Sequence, residues 1–275
     1  MLSNFKTIHV AGNLVLWGII GLLYFGCKRE NFSQSDVEYS FFVAGHTYGK
    51  PGVYNKGVHP PFKRKFDVIK GKETLQFGVF TGDIVIKGNK QSWDSIDRDI
   101  AQLGIPVYFA VGNHDLLTGR KMYKARYGPI YYSFIHHNDL FIVLDPNLAG
   151  WNIRGKQLEF LREQVKNNYN KAANIFVFFH QLLWWEPDNI YKKVRPNSLD
   201  KRKDSINFWT EVEPIFKGLS NQVHMIAGDI GAHNNGRAFM YHKYDNITFI
   251  ASGMGGGKHD NIVIIYVHSD KSISY

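Results

Sequence analysis

The chain has a single cysteine, Cys27, in 275 residues. No internal disulfide can form, and no thiolate cluster narrows the choice of a bound metal. There is no internal repeat and no low-complexity run, so nothing points to a solenoid or an extended linker. An arginine-rich arm and the known nucleic-acid-binding motifs are also missing, which leaves DNA or RNA without support as a partner. The glycine turn Gly255-Gly256-Gly257 is followed by Lys258-His259, with no Lys-Ser/Thr pair, and so is not a nucleotide loop. Long hydrophobic runs are scarce. The best of them, residues 10–25, is broken by Asn13 and falls short of the ~20 apolar residues a spanning helix needs.

What is present fits one α/β domain with a full core. Hydrophobic residues make up 44% of the chain and the formal charge is +9, an excess that favours anionic partners. Residues 1–27 read as a signal-peptide core closed by Gly26-Cys27. The position of Cys27 is similar to that of the lipid-modified cysteine of bacterial lipoproteins. That places the protein at the cell envelope, facing the periplasm or exterior. An uncleaved single-pass signal anchor is the next reading, and a cytoplasm-facing domain, suggested by Lys28 and Arg29, is the third. Residues 28–37 read as a polar tether, and residues 38–275 as the folded domain.

Within that domain, short apolar runs keep ending in side chains that can bind a metal. Residues 39–44 lead to Gly45-His46-Thr47-Tyr48, and 77–81 to Gly82-Asp83. Residues 105–110 lead to Val111-Gly112-Asn113-His114-Asp115, 174–179 to His180, and 223–227 to Gly228-Asp229. Strands that end this way place polar groups at the carboxyl edge of a sheet, where open α/β sheets build their sites. Between them, Trp93, Ile96, Ile100 and Leu103 mark one amphipathic helix, and Leu158, Leu161 and Val165 a second over about 155–168. Phe208, Val212, Ile215 and Leu219 mark a third. His136-His137-Asn138-Asp139 reads as a hairpin turn and Asp245-Asn246 as another. Residues 181–204, aromatic and then basic, read as an insertion packed on the body.

The order Gly82-Asp83, Gly112-Asn113-His114-Asp115, then a strand-terminal His180 resembles the calcineurin-like metallophosphoesterases over residues 38–275. The resemblance implies two mixed β-sheets packed together and flanked by helices. It implies a hydrolase of phosphate esters that uses a metal-activated water and two divalent cations, which neutralise the anionic ester and deprotonate the water. Manganese, iron and zinc are all compatible with His, Asp and Asn ligands. By position, Asp83 matches the bridging ligand, and Asn113 and His180 match ligands of the second metal. His114 matches the acid that protonates the leaving alkoxide, with Asp115 orienting its imidazole.

Two motifs depart from the family. Where Asp-x-His is usual, this chain has His46-Thr47-Tyr48, and where Gly-His-x-His is usual it has Gly228-Asp229-Ile230-Gly231. An Asp has become His46 and a His has become Asp229, so the stock of imidazole and carboxylate is nearly kept. The expected ligand set is therefore His46, Asp83, Asn113, His180 and Asp229, with Tyr48 and His233 as further candidates. The competing expectation is a catalytically reduced relative that keeps the fold and serves as a binding or assembly component at the envelope.

Overall fold

The computed structural model describes residues 36–233 and 237–275. Cys27, the leader and most of the tether fall outside the described residues. The first strand, β1 (Val37–Ala44), begins on the last residue assigned to that tether. Among the described residues no helix is long and apolar enough to cross a membrane.

Two mixed sheets pack face to face. In the first, β1 lies parallel to β2 (Leu75–Thr81), which lies parallel to β3 (Val107–Ala110). The second begins with β4 (Tyr132–His136), antiparallel to β5 (Asp139–Val143) across the expected turn at His137. β5, β6 (Asn174–Phe179), β7 (Gln222–Ala227) and β9 (Ile247–Ser252) are mutually parallel. β8 (Phe239–Tyr244) closes that sheet as an antiparallel edge. β10 (Val263–His268) and β11 (Ile273–Ser274) complete the first sheet, whose order is β11-β10-β1-β2-β3.

The near-continuous apolar runs seen in the sequence have a simple cause: these strands are covered on both faces. In β1, Phe41 and Val43 face the second sheet, where Phe141, Phe176 and Phe178 meet them. Phe42 and Ala44 point the other way, into a layer built on Trp93, Ile96 and Leu103 of the helix Lys90–Ile100 and the turn after it. β6 divides likewise. Phe176 and Phe178 face inward, while Ile175, Val177 and Phe179 pack outward with Leu158, Leu161 and Val165 of the helix Lys156–Asn168. Side chains alternating across a strand thus feed two cores at once.

Two elements differ from the periodicity in the sequence. β3 starts at Val107 because Pro106 has no N–H to give; its carbonyl instead accepts from Gly78 N at 2.9 Å. The third amphipathic stretch is not one α-helix through Leu219. It opens as a π turn, Phe208–Val212, continues as four α-helical residues, Glu213–Phe216, and ends before Gly218 at φ +80°. Pro214 cannot donate to the fourth carbonyl before it, and the chain widens there so that Val212 N reaches Asn207 O.

One buried ring gives the fold a pH dependence. His224 on β7 stacks on Phe176 with centroids 4.8 Å apart, and its Nδ1 lies 2.7 Å from the Tyr275 hydroxyl. Burial, helped by Lys243, pushes its pKa down to about 3. The unfolded chain therefore takes up a proton near pH 6.5 that the folded chain refuses, so the stabilisation is present above that value and is lost as pH falls toward 3. The slope is at most ~1.4 kcal/mol per pH unit. Urea unfolding at pH 7 and pH 5 should show a loss of roughly 2 kcal/mol from this group, and His224→Phe should flatten that difference. An unchanged slope in the variant would assign the acid sensitivity elsewhere.

Candidate metal centre

Each ligand candidate stands just beyond the carboxyl end of a strand. His46 follows β1, Asp83 follows β2, Asn113 follows β3, His180 follows β6 and Asp229 follows β7, so the two sheets contribute to one rim. His46 and Asp83 both hold positive φ, 53° and 51°. That conformation is costly for residues with a Cβ and concentrates at functional sites. The turns around them meet without side chains between. A Cβ on Gly112 would fall 2.1 Å from Asp83 N, and one on Gly228 would fall 2.1 Å from Thr81 O. Glycine at both places lets the turn after β3 close on Asp83 and the turn after β7 close on the first sheet.

Asp83, His180 and Asp229 are all buried, and one potential ligand atom from each lies within 4.8 Å of the others. His180 explains how the group is aimed. Its Nδ1 donates to Thr81 O at 2.9 Å, which turns Nε2 to lie 3.3 Å from Asp83 Oδ1 and 3.4 Å from Asp229 Oδ1. An imidazole whose other nitrogen is pinned on a backbone carbonyl is the usual posture of a metal ligand. Burial alone would keep this ring neutral, but the Asp83 and Asp229 charges outweigh it and raise its pKa well above the ordinary value. The reciprocal attraction holds Asp83 well below the usual carboxylate range although burial works against it. The centre thus calls for positive charge.

The polar atoms left without partners point the same way. His180 Nε2, Asp229 Oδ1 and Asn113 Oδ1 are buried and make no hydrogen bond. Unpaired buried polar atoms are rare because each forfeits its hydration, and three at one rim are explained together by a cation. The residues present therefore fit a divalent metal, with oxygen and imidazole nitrogen as the donors.

His46 stands beside this group rather than in it, with Nε2 3.7 Å from Asp83 Oδ2. Burial lowers its pKa, against the pull of Asp83, so the ring is neutral and able to donate a lone pair. Tyr48 packs its ring 4.2 Å from His46 and 4.9 Å from His114, and burial pushes its phenol upward, away from phenolate. His233 is not brought to the group at all. It lines a separate cleft with Lys50, Arg237 and Lys258, two residues beyond a Gly231 that has no side chain to offer.

The role expected for Asp115 needs correction. Its carboxylate does not touch the His114 ring. Oδ1 accepts from Ile84 N at 2.8 Å and Val85 N at 3.0 Å, and Oδ2 accepts from Gly112 N at 2.8 Å. It ties the turn after β2 to the turn after β3. The His114 imidazole is oriented by Ile86 O, which accepts from Nδ1 at 3.0 Å, while His114 N donates to Asp83 Oδ1 at 3.0 Å. Nε2 remains available for proton transfer.

The insertion supplies what sequence reasoning missed. Ser198 donates to Asp229 Oδ2 from its hydroxyl at 2.8 Å and its N–H at 3.3 Å, and Asn197 N donates to Asp229 O at 2.9 Å. These bonds occupy one carboxylate oxygen and leave Oδ1 facing His180. No spacing in the sequence marks Ser198. The aromatic part of the insertion is packing: Trp184 is fully buried and stacks on Phe249 at 4.8 Å, and Arg202 lies over Trp151 and Trp185.

Comparison with known proteins bears on the family and the fold. The family description "Calcineurin-like phosphoesterase" matches residues 35–212. Among solved structures, a dimetal phosphatase from Danio rerio aligns at 15% identity and TM-score 0.51, covering 85% of this chain and 94% of that one. GAP50 of Plasmodium, described as the anchor in the inner membrane complex, aligns at 15% identity and TM-score 0.54, covering 86% and 87%. A purple acid phosphatase from yellow lupin, Lupinus luteus, aligns at 14% identity and TM-score 0.58, covering 86% of this chain and 52% of that one. These structures share the fold of two mixed sheets flanked by helices. No curated protein sequence matches at a significant level.

Proposed function

Because the chain belongs to the calcineurin-like phosphoesterases, metal-dependent hydrolases of phosphate esters that typically use two divalent cations, we propose that Asp83, Asn113, His180 and Asp229 hold a cation here, with His46 beside them. The observation that carries this is the convergence of His180 Nε2 on two carboxylate oxygens with its own Nδ1 pinned on Thr81 O. When bound, the metal supplies charge for the anionic ester and lowers the pKa of water. The chain's own residues do the rest. Ser198 holds Asp229 in place, and the Asp83 turn fixes the backbone of His114. His114, with Nδ1 committed to Ile86 O, presents Nε2 to protonate the departing alkoxide.

The same proposal places the enzyme at the cell envelope, carried by residues 1–27 and lipidated on Cys27, with the domain facing the periplasm or exterior. The short apolar segment ending in Gly26-Cys27 supports that placement, with a single-pass signal anchor as the other form of attachment. Full-length protein purified without chelator should contain divalent metal and hydrolyse p-nitrophenyl phosphate or its bis ester. It should also move from the membrane fraction to the soluble fraction on Cys27→Ser. No metal after manganese, iron or zinc supplementation, together with no hydrolysis, would sink the catalytic reading. It would favour a binding or assembly component, as the lack of a side chain at Gly231 and the ring-only contacts of Tyr48 suggest. A membrane fraction unchanged by Cys27→Ser would favour the anchor.

A further inference from the structure

Beside the metal centre lies an open cleft of about 930 Å³, large enough for a cofactor-sized ligand. Its walls are continuations of the turns that carry the ligands. Lys50 is four residues beyond His46, and Gly231 two beyond Asp229. The turn Gly255 to Gly257 forms the third side. A Cβ on Gly255 would fall 2.0 Å from Gly231 O, and one on Gly256 would fall 2.7 Å from Lys50 Cβ, so the three segments are in direct contact.

The charge in this cleft is one-sided. Lys50, Arg237 and Lys258 line it, and among the described residues none of the three side chains has an ion-pair or hydrogen-bond partner. His233 and His259 add two imidazoles. The only carboxylate in the described lining is Asp260, and it is already spent on the turn itself. Asp260 accepts from Gly255 N at 2.9 Å, Gly256 N at 3.0 Å and Gly257 N at 3.1 Å, and it faces His59 Nε2 at 3.2 Å. The carboxylate therefore stiffens the turn and pairs with none of the three cations, which leaves the described lining with an excess of positive charge. Its use of all three glycine N–H groups also means that the turn is not itself a phosphate cradle, so side chains must do the recognition. Three unpaired cations on a rigid frame within a concavity attract and orient polyanions.

We infer that this cleft binds a second anionic group of the substrate, so that the preferred phosphate ester carries at least one further phosphate or carboxylate. The inference rests on the proposed phosphoesterase activity for the identity of the substrate, but the binding site itself does not depend on hydrolysis. The shared chemistry is a polyanion, and a phosphate and a carboxylate source are separable by experiment.

The test uses the full-length chain stripped of metal on a chelating resin, with inorganic tripolyphosphate, citrate and orthophosphate titrated by calorimetry at low and at 0.5 M salt. Tripolyphosphate is expected to bind at least tenfold more tightly than orthophosphate and to weaken steeply with salt. Arg237→Ala combined with Lys258→Ala should weaken it at least tenfold, and Lys50→Ala should weaken it by a smaller factor, with unchanged circular dichroism because all three side chains are exposed. Tripolyphosphate binding without citrate binding assigns the second group to phosphate, and equal binding of both assigns it to polyanions generally; either supports the cleft. No binding of either, or affinity indifferent to all the substitutions, would overturn it. Since no hydrolysis is measured, a protein that binds tripolyphosphate here but cleaves no ester would retain this inference and lose the proposed function.

Discussion

Asp83→Asn is expected to lose bound metal and to lower phosphoester hydrolysis by roughly a thousandfold or more, the equivalent of several kcal/mol of charge stabilisation in the transition state. The substitution is nearly isosteric, and an amide oxygen can still accept from His114 N, so the turn after β2 should keep its shape. What disappears is the negative charge that faces His46 Nε2 at 3.7 Å and His180 Nε2 at 3.3 Å. In its place an amide N–H₂ or a neutral oxygen meets His180, which then has one carboxylate, Asp229, in place of two. Elemental analysis and steady-state kinetics on protein purified in parallel with wild type decide the matter. Urea unfolding of both proteins after metal removal serves as the control for folding, since loss of the attraction between Asp83 and His180 by itself destabilises the variant. A variant with full metal content and full hydrolysis would show that the centre lies elsewhere.

Asp115→Ala should act on the fold rather than on the chemistry alone. Its side chain is fully buried and accepts three backbone N–H groups, from Ile84, Val85 and Gly112. Burial and the nearby Asp83 charge push its pKa up to about 7, against the pull of the Gly112 and Val85 donors, so this carboxyl is held in place at some electrostatic cost. Truncation leaves three donors in a dry interior, each worth about 1–3 kcal/mol when stranded. Relief of the buried charge offsets part of that, and the net expectation is a loss of roughly 3 kcal/mol, a large share of a typical domain's stability. Asp115→Asn should fall between, because its amide oxygen can serve Ile84 and Val85 while its N–H₂ faces the Gly112 N–H. The linear extrapolation of urea unfolding, with metal removed from all three proteins, measures this directly. A loss below 1 kcal/mol for the alanine variant would contradict the three-donor account. So would a variant that lost activity with no change in stability.

The two predictions mark a boundary in what the residues disclose on their own. Asp83 was legible because a Gly-Asp after an apolar run is a local pattern, and its partners at Asn113 and His180 stand at the ends of runs of the same kind. Asp115 was legible as a polar residue at that rim but not in its role. A carboxylate one residue from an imidazole suggests a pair, whereas the backbone of 112–115 turns them apart and gives Asp115 to N–H groups thirty residues away. The same limit explains Ser198. It lies within an insertion whose composition speaks only of packing and charge, and its bond to Asp229 exists because the insertion returns across the carboxyl end of β7. The π turn at Phe208–Val212 is an intermediate case: the apolar period was visible, and Pro214 was the signal that it could not remain α-helical.

By itself, then, the sequence determined the things that depend on near neighbours along the chain. Apolar runs buried on both faces made the strands, alternation divided Phe41 from Phe42 between two cores, and glycine at 82, 112 and 228 allowed the sharp turns on which ligands stand. Tertiary structure alone decided which atoms of those ligands meet. The Thr81 carbonyl selects the nitrogen that His180 offers, Ser198 selects the oxygen that Asp229 offers, and the packing of the turns after β1, β7 and β9 encloses a cationic cleft. The reason is physical: hydrogen-bond geometry and the charge of a concavity depend on distances between segments remote in the chain, and no local pattern of residues encodes those distances.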